Sequence, residues 1–198
     1  MIIKAYHGTN ARFDKFDRSK ARIKNDLYGG GIAYFTDDIT VAKSYARSMS
    51  KKEGIPLVYE VELSLKKVFD VEHMFTGLEV ANFTKGFDIE AFARGARLMS
   101  GNNRLQILSE LKSNKIPLTG EQIFKGLSNG MNQTAKARAI IERQGFDSLR
   151  HKGGEMGITP IKHNVYLAYD PGTIRIAQRY IVKPKNDYMN TKESFMFV

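Results

Sequence analysis

The chain contains no cysteine. That excludes disulfides, thiolate metal sites and cysteine nucleophiles together. Histidine is scarce, at positions 7, 73, 151 and 163 only. These four are scattered and no HExxH is present, so no dedicated metal site is expected. No segment offers the run of about 20 apolar residues that crosses a bilayer. The opening MIIKAYHGT also lacks the apolar stretch of a signal peptide. The expectation is a cytoplasmic protein with no membrane partner, acting in its own cell or delivered to a host's. There is no Walker A lysine behind a glycine loop, no GxGxxG and no GxSxG elbow. Internal repeats and low-complexity tracts are missing too.

What is present is ordinary in bulk and unusual in charge. The 198 residues are 42% hydrophobic and 26% charged, a composition typical of a soluble globular domain. The expectation is a single domain over 1–183 with a polar tail over 184–198 that ends in an apolar FMFV. Net charge is +10, which favours an anionic partner such as nucleic acid, an acidic protein face or a phosphate-bearing ligand.

Pattern predicts strands at Met1–Tyr6 and Ile32–Phe35. Asp38 then caps a helix with Val41, Ala42, Tyr45, Ala46 and Met49 on one face. The clearest strand is LVYEVELSL (57–65), where Tyr59, Val61, Leu63 and Leu65 alternate with polar residues; Val68–Val71 follows. Residues 72–132 read as a helical block, with helices over Asp88–Met99, Leu105–Asn114 and Glu121–Leu127. Thr119 and Gln122 have capping-box spacing before the last of these. A helix over Ala135–Gln144 stops at Gly145. Strands return at 146–149, 165–169, Ile174–Ile176 and Tyr180–Lys183. Strands flanking a block of helices predict an α+β fold.

Taken singly, His7 reads as a structural histidine, Tyr34 and Tyr45 as core aromatics, and the glycines at 29–31 as a tight turn. Their order says more. HGT at 7–9, GIAYFTD at 31–37, KSYA at 43–46, YEVEL at 59–63 and VYLAYD at 165–170 follow one another along the chain. Together they resemble the ADP-ribosyltransferase superfamily, in its His-Tyr-Glu branch, typified by diphtheria toxin and the poly(ADP-ribose) polymerases. Phage and bacterial effector-like relatives look closer still. The resemblance covers roughly 1–70 and 145–180. It implies two packed, mainly antiparallel sheets around an NAD cleft, with the helical block of about 72–132 as an insertion. NAD would be a substrate, with no metal. His7 would hydrogen-bond the adenosine ribose, the Gly8 backbone would hold the nicotinamide carboxamide beside Thr9, and Tyr34 and Tyr45 would sandwich the nicotinamide ring. His7 and Tyr34 would thus serve catalysis as well as binding.

The chain departs from that pattern at one place. The family glutamate precedes a Tyr-x-x-Tyr-Asp strand, and here Val165 stands there. A valine supplies neither charge nor a hydrogen-bond acceptor. Glu155 in KGGEMG is the replacement acid this reading adopts, with His163, Glu60 and Glu62 as alternatives. The expected activity is transfer of one ADP-ribose to a protein or nucleic-acid acceptor. Two rivals remain: an inactive module that binds NAD or ADP-ribose, and a basic nucleic-acid-binding protein on the same fold.

Overall fold

The structure is a computed structural model that describes residues 1–20, 27–49, 54–99, 103–154, 160–183 and 196–197. In chain order the strands are β1 (Ile2–Thr9), β2 (Tyr34–Thr36), β3 (Leu57–Ser64), β4 (Val68–Asp70), β5 (Met74–Phe75), β6 (Leu118–Thr119), β7 (Ser148–Gly153), β8 (His163–Ala168), β9 (Ile174–Ile181) and β10 (Met196–Phe197). The helices are α1 (Ile39–Met49), α2 (Gly77–Thr84), α3 (Ile89–Gly95), α4 (Arg104–Lys112), α5 (Gly120–Leu127) and α6 (Thr134–Arg143). The fold is α+β. The chain divides into two compact units, one of 1–20, 32–66 and 151–198, the other of 21–31 and 67–150. Strand β7 runs from the second into the first.

The first unit is a mainly antiparallel sheet in the order β10-β9-β3-β1-β2-β8-β7. β3 lies near its middle because its period-two pattern buries Tyr59, Val61 and Leu63 completely. It pairs with β1 along all eight residues, from Ile2 opposite Ser64 to Thr9 opposite Leu57. On its other edge it pairs with β9, which carries one extra residue, Ala177, opposite the step from Glu60 to Val61. That bulge absorbs a slip in register, so residues 174–181 form one strand where two pieces were expected. Strand β8 likewise begins two residues earlier than its apolar run, at His163.

Asp38 caps α1 as expected, accepting from the amides of Thr40 (2.7 Å) and Val41 (3.3 Å). The buried face is narrower than the pattern implied. Ala42 and Ala46 are buried, whereas Tyr45 is 36% and Met49 49% exposed. The cause is Gly8: a Cβ there would overlap the Ala42 carbonyl and come within 2.9 Å of the Ala46 nitrogen. With no side chain between them, the two alanines settle onto β1, against Val58, Tyr180 and Val182. Tyr45 is left at the margin.

The second unit contains the whole of 72–132 and extends it on both sides. Its core is a cluster of Phe69, Phe75, Phe83 and Phe146, with ring centroids 5.3 to 6.4 Å apart. Phe146 belongs to this cluster and not to a strand, so β7 starts at Ser148, beside and parallel to β4. α2 was not anticipated, although Thr76 and Glu79 form a complete capping box at its start. The predicted helix over 88–99 stops at Gly95, and Arg97 adopts a left-handed φ of 57°. Gly29 also has positive φ, 77°, and a Cβ there would lie 2.5 Å from the Thr134 carbonyl on α6. Arg138 Nη1 donates to the Gly30 carbonyl at 3.2 Å. The glycines at 29 and 30 thus let the chain lie against α6.

Candidate functional site

The pairing of β1 with β2 is a single rung. Tyr6 stands opposite Thr36, and no further pair follows among the described residues. β1 then continues through His7, Gly8 and Thr9 bonded to β3 alone. The sheet is therefore parted beside HGT, and a polar group entering there meets main-chain edge that the ladder has released.

His7 sits at this parting. Its Nδ1 lies 2.9 Å from the Tyr34 carbonyl. A carbonyl oxygen can only accept, so Nδ1 carries the proton and donates. Burial pushes the imidazole below its ordinary value of 6.5, and the bond to the Tyr34 carbonyl only partly offsets that. The ring is neutral at pH 7 and its Nε2 is a hydrogen-bond acceptor. Three phenylalanines surround it: Phe16 at 5.5 Å, Phe35 at 5.8 Å and Phe13 at 6.4 Å between centroids.

Tyr59 holds that wall in place. Fully buried on β3, it stacks on Phe13 with centroids 4.3 Å apart and planes 5° from parallel. Its hydroxyl accepts from the Phe13 amide at 2.8 Å and donates towards the Phe13 carbonyl at 3.1 Å. Arg179 lies over the Tyr59 ring, 5.6 Å from its centre, and pairs with Asp14 at 2.7 Å. Thr9 turns its hydroxyl to the Ala11 amide at 3.2 Å. Just past the end of β1, a depression of about 150 Å³ is lined by Asn10, Arg12, Ile55, Leu57, Arg179 and Ile181.

The other expected residues are placed as follows. Tyr34 is joined to His7 through its carbonyl. Side chains alternate along a strand, so its ring faces away from the side that Phe35 shares with His7. It lies on the face where Gly8 meets α1, the helix that carries Tyr45. Val165 pairs with Thr36 and is buried at 9% exposure. Glu155 lies outside the described residues. Glu60 is engaged: Lys4 bonds it at 2.8 Å and the Tyr180 hydroxyl at 2.7 Å. Burial pushes its carboxyl up, but these two bonds outweigh that and hold it below the usual range. Burial, then the same carboxylate, push Tyr180 up to about 12. Val165, Thr36, Tyr6 and Glu60 lie on four successive strands, which at about 4.8 Å a step is roughly 14 Å, so Glu60 does not reach the place of the family acid. Glu62 is paired with Arg175 on the surface.

Sequence reasoning missed one part. Asp37 accepts from both the main-chain amide and the side-chain amide of Asn164, tying the end of β2 to the start of β8. The doubled aspartate of TDD is the available signal: both read as ending the strand and Asp38 as a cap, and neither reading reaches across to β8. No group of residues suited to holding a metal ion occurs among the described residues. None of the described helices is long and apolar enough to cross a membrane.

Comparison with known proteins agrees with the order of motifs. No curated protein and no solved structure matches the chain. A family profile described as ADP-ribosyltransferase in polyvalent proteins matches residues 1–181, which includes every element from β1 to β9. The chain belongs to that ADP-ribosyltransferase family.

Proposed function

We propose that the protein binds NAD at the parting between β1 and β2 and transfers one ADP-ribose to a macromolecular acceptor. The observation that carries this reading is the fixed tautomer of His7. Nδ1–H is spent on the Tyr34 carbonyl, so Nε2 offers a lone pair to a hydroxyl, as a ribose would require. Gly8 supports it too: its backbone borders the released edge, and α1 is seated against it where a side chain would otherwise stand. Tyr34 and Tyr45 are the two aromatics offered to the nicotinamide, a stacking worth about 0.5–1.5 kcal/mol beyond burial. Arg12 and Arg179 bring positive charge towards the diphosphate.

The chemistry needs little covalent help from the chain. Nicotinamide departs with the electron pair of its bond to C1′ of the ribose, and positive charge builds on the sugar. A carboxylate would stabilise that charge. Val165 does not, and Glu155 is the acid this reading assigns to the role. Without a polymer-forming glutamate the product is a single ADP-ribose. The acceptor is a protein or nucleic acid, and the net charge of +10 favours an anionic one.

Nicotinamide release from NAD tests the reading, together with NAD affinity for His7→Ala, Tyr34→Ala and Tyr45→Ala. Weaker binding in all three is expected; unchanged affinity in all three removes this site. A second reading, binding of NAD without turnover, is favoured by Val165 alone. Tight NAD binding with no nicotinamide release selects it.

A further inference from the structure

Val165 leaves the family's acidic position aliphatic, yet one titratable side chain stands against it. His163 precedes it by two residues on β8, so the two share a face of the strand. Their convergence is closer than spacing alone requires. A Cβ built on Gly153 would come under 3.0 Å from both His163 Nε2 and Val165 Cγ2. Two atoms that crowd one point are separated by less than twice that distance. Glycine at 153 is what leaves room for the imidazole edge beside the valine methyl.

The ring is also oriented. His163 Nδ1 lies 2.7 Å from the Ile161 carbonyl, so Nδ1 is the donor and Nε2 of the neutral ring holds a lone pair. Among the described residues nothing hydrogen-bonds Nε2. The residue is 8% exposed, so this is a nearly dry imidazole whose Nε2 edge lies beside Gly153. The flanking strands bring little charge to its face. β2 presents Tyr34 and Thr36 there, and β7 presents His151, whose Nδ1 is bonded to the Lys152 carbonyl at 2.8 Å. Asp37 and Lys152 are both held by Asn164 on the opposite face.

We infer that His163 is the general base of the transfer, its Nε2 taking the proton of the attacking group. The inference rests on the transferase reading above and assigns a further residue of that site. A carboxylate at position 165 would do two things: stabilise charge on the sugar and accept the acceptor's proton. An imidazole does only the second. In the step, a lone pair of the acceptor's oxygen or nitrogen forms the bond to C1′. The C1′–nicotinamide bond breaks and nicotinamide leaves neutral with its electron pair. The acceptor's proton passes to Nε2 and then to solvent. With water as acceptor the products are nicotinamide, ADP-ribose and one proton.

The experiment follows nicotinamide release from NAD with water as acceptor, at saturating NAD and across a pH series. Wild type, His163→Gln and His163→Ala are compared, the last with and without added imidazole. NAD affinity is measured for each. The expected result is a loss of about 10²–10⁴-fold in kcat with NAD affinity unchanged. An acid limb corresponding to one proton is present in wild type and absent in His163→Gln, and imidazole partly restores His163→Ala. Saturating NAD removes the contribution of His7, which acts in binding. An active wild type whose kcat and acid limb persist in His163→Gln overturns the assignment, as does loss that tracks NAD affinity. If His163→Gln fails to fold, rescue of His163→Ala decides: no response to imidazole overturns it. A wild type that releases no nicotinamide overturns the transferase reading instead.

Discussion

At the scale of single residues, His7 and Gly8 are constrained for reasons that differ from one another. The folded chain holds the His7 imidazole below 6.5, through burial first, so between the two values the unfolded chain binds more protons. Stability therefore rises with pH through that window. It is fully present above about 6.5 and is lost as pH falls through the folded value. Denaturant midpoints should accordingly fall more steeply below pH 6.5 in wild type than in His7→Phe; parallel curves would refute the burial argument. NAD affinity should weaken over the same window, because a protonated Nε2 no longer accepts. Gly8→Ala places a methyl against the Ala42 carbonyl and forces α1 outward, at a cost of about 1–3 kcal/mol readable as a lower urea midpoint. Val165→Glu tests the other end of the site. It supplies the missing charge, and nicotinamide release should rise by up to about 10²-fold. If Glu155 already fills that role, Glu155→Gln abolishes release and Val165→Glu adds little. These residues were legible only unevenly in the sequence. His7, Gly8 and Val165 could be named from short motifs. That Gly8 also seats a helix could not, because the contact joins β1 to residues more than thirty positions away.

At the scale of elements, period and capping carried the prediction where contacts are local, and long-range pairing limited it. LVYEVELS alternates cleanly, and β3 is buried as that alternation requires. Thr119 and Gln122 cap α5 as expected. The equivalent pair Thr76 and Glu79 is a weaker signal, since the run behind it, GLEVANFT, is short and glycine-led. β9 reads as two strands because it carries one extra residue, Ala177, opposite the step from Glu60 to Val61, and that residue shifts the alternation of its side chains partway along. The loop over 10–16 depends on one hydroxyl. Tyr59 takes the Phe13 amide at 2.8 Å and thereby brings Phe13 and Phe16 to His7. Tyr59→Phe keeps the stacking and loses that bond. The Phe13 amide should then exchange with solvent faster and NAD should bind less tightly, while the core strands keep their protection. Unaltered exchange at Phe13 would mean that stacking alone fixes the loop.

At the scale of the whole molecule, the division into two units was not foreseeable from composition. The helical character of 72–132 was visible, but the attachment of 21–31 to the same unit was not. It depends on Gly29 lying against Thr134 and on Arg138 reaching the Gly30 carbonyl, contacts made across more than a hundred residues. The charge of +10 leads to a further expectation for the intact chain. If the acceptor is anionic, transfer to it should fall with added salt, while NAD hydrolysis by water changes less. Equal salt sensitivity of the two would argue for an uncharged acceptor. The parted sheet has a last consequence, in time and not in space. His7 and its wall are made early in synthesis, but Leu167 opposite Tyr34 and Arg179 opposite Tyr59 come more than a hundred residues later. Contacts of such separation form slowly. A ribosome that has made the histidine has not yet made the surroundings of the histidine, which are complete only once Arg179 has emerged.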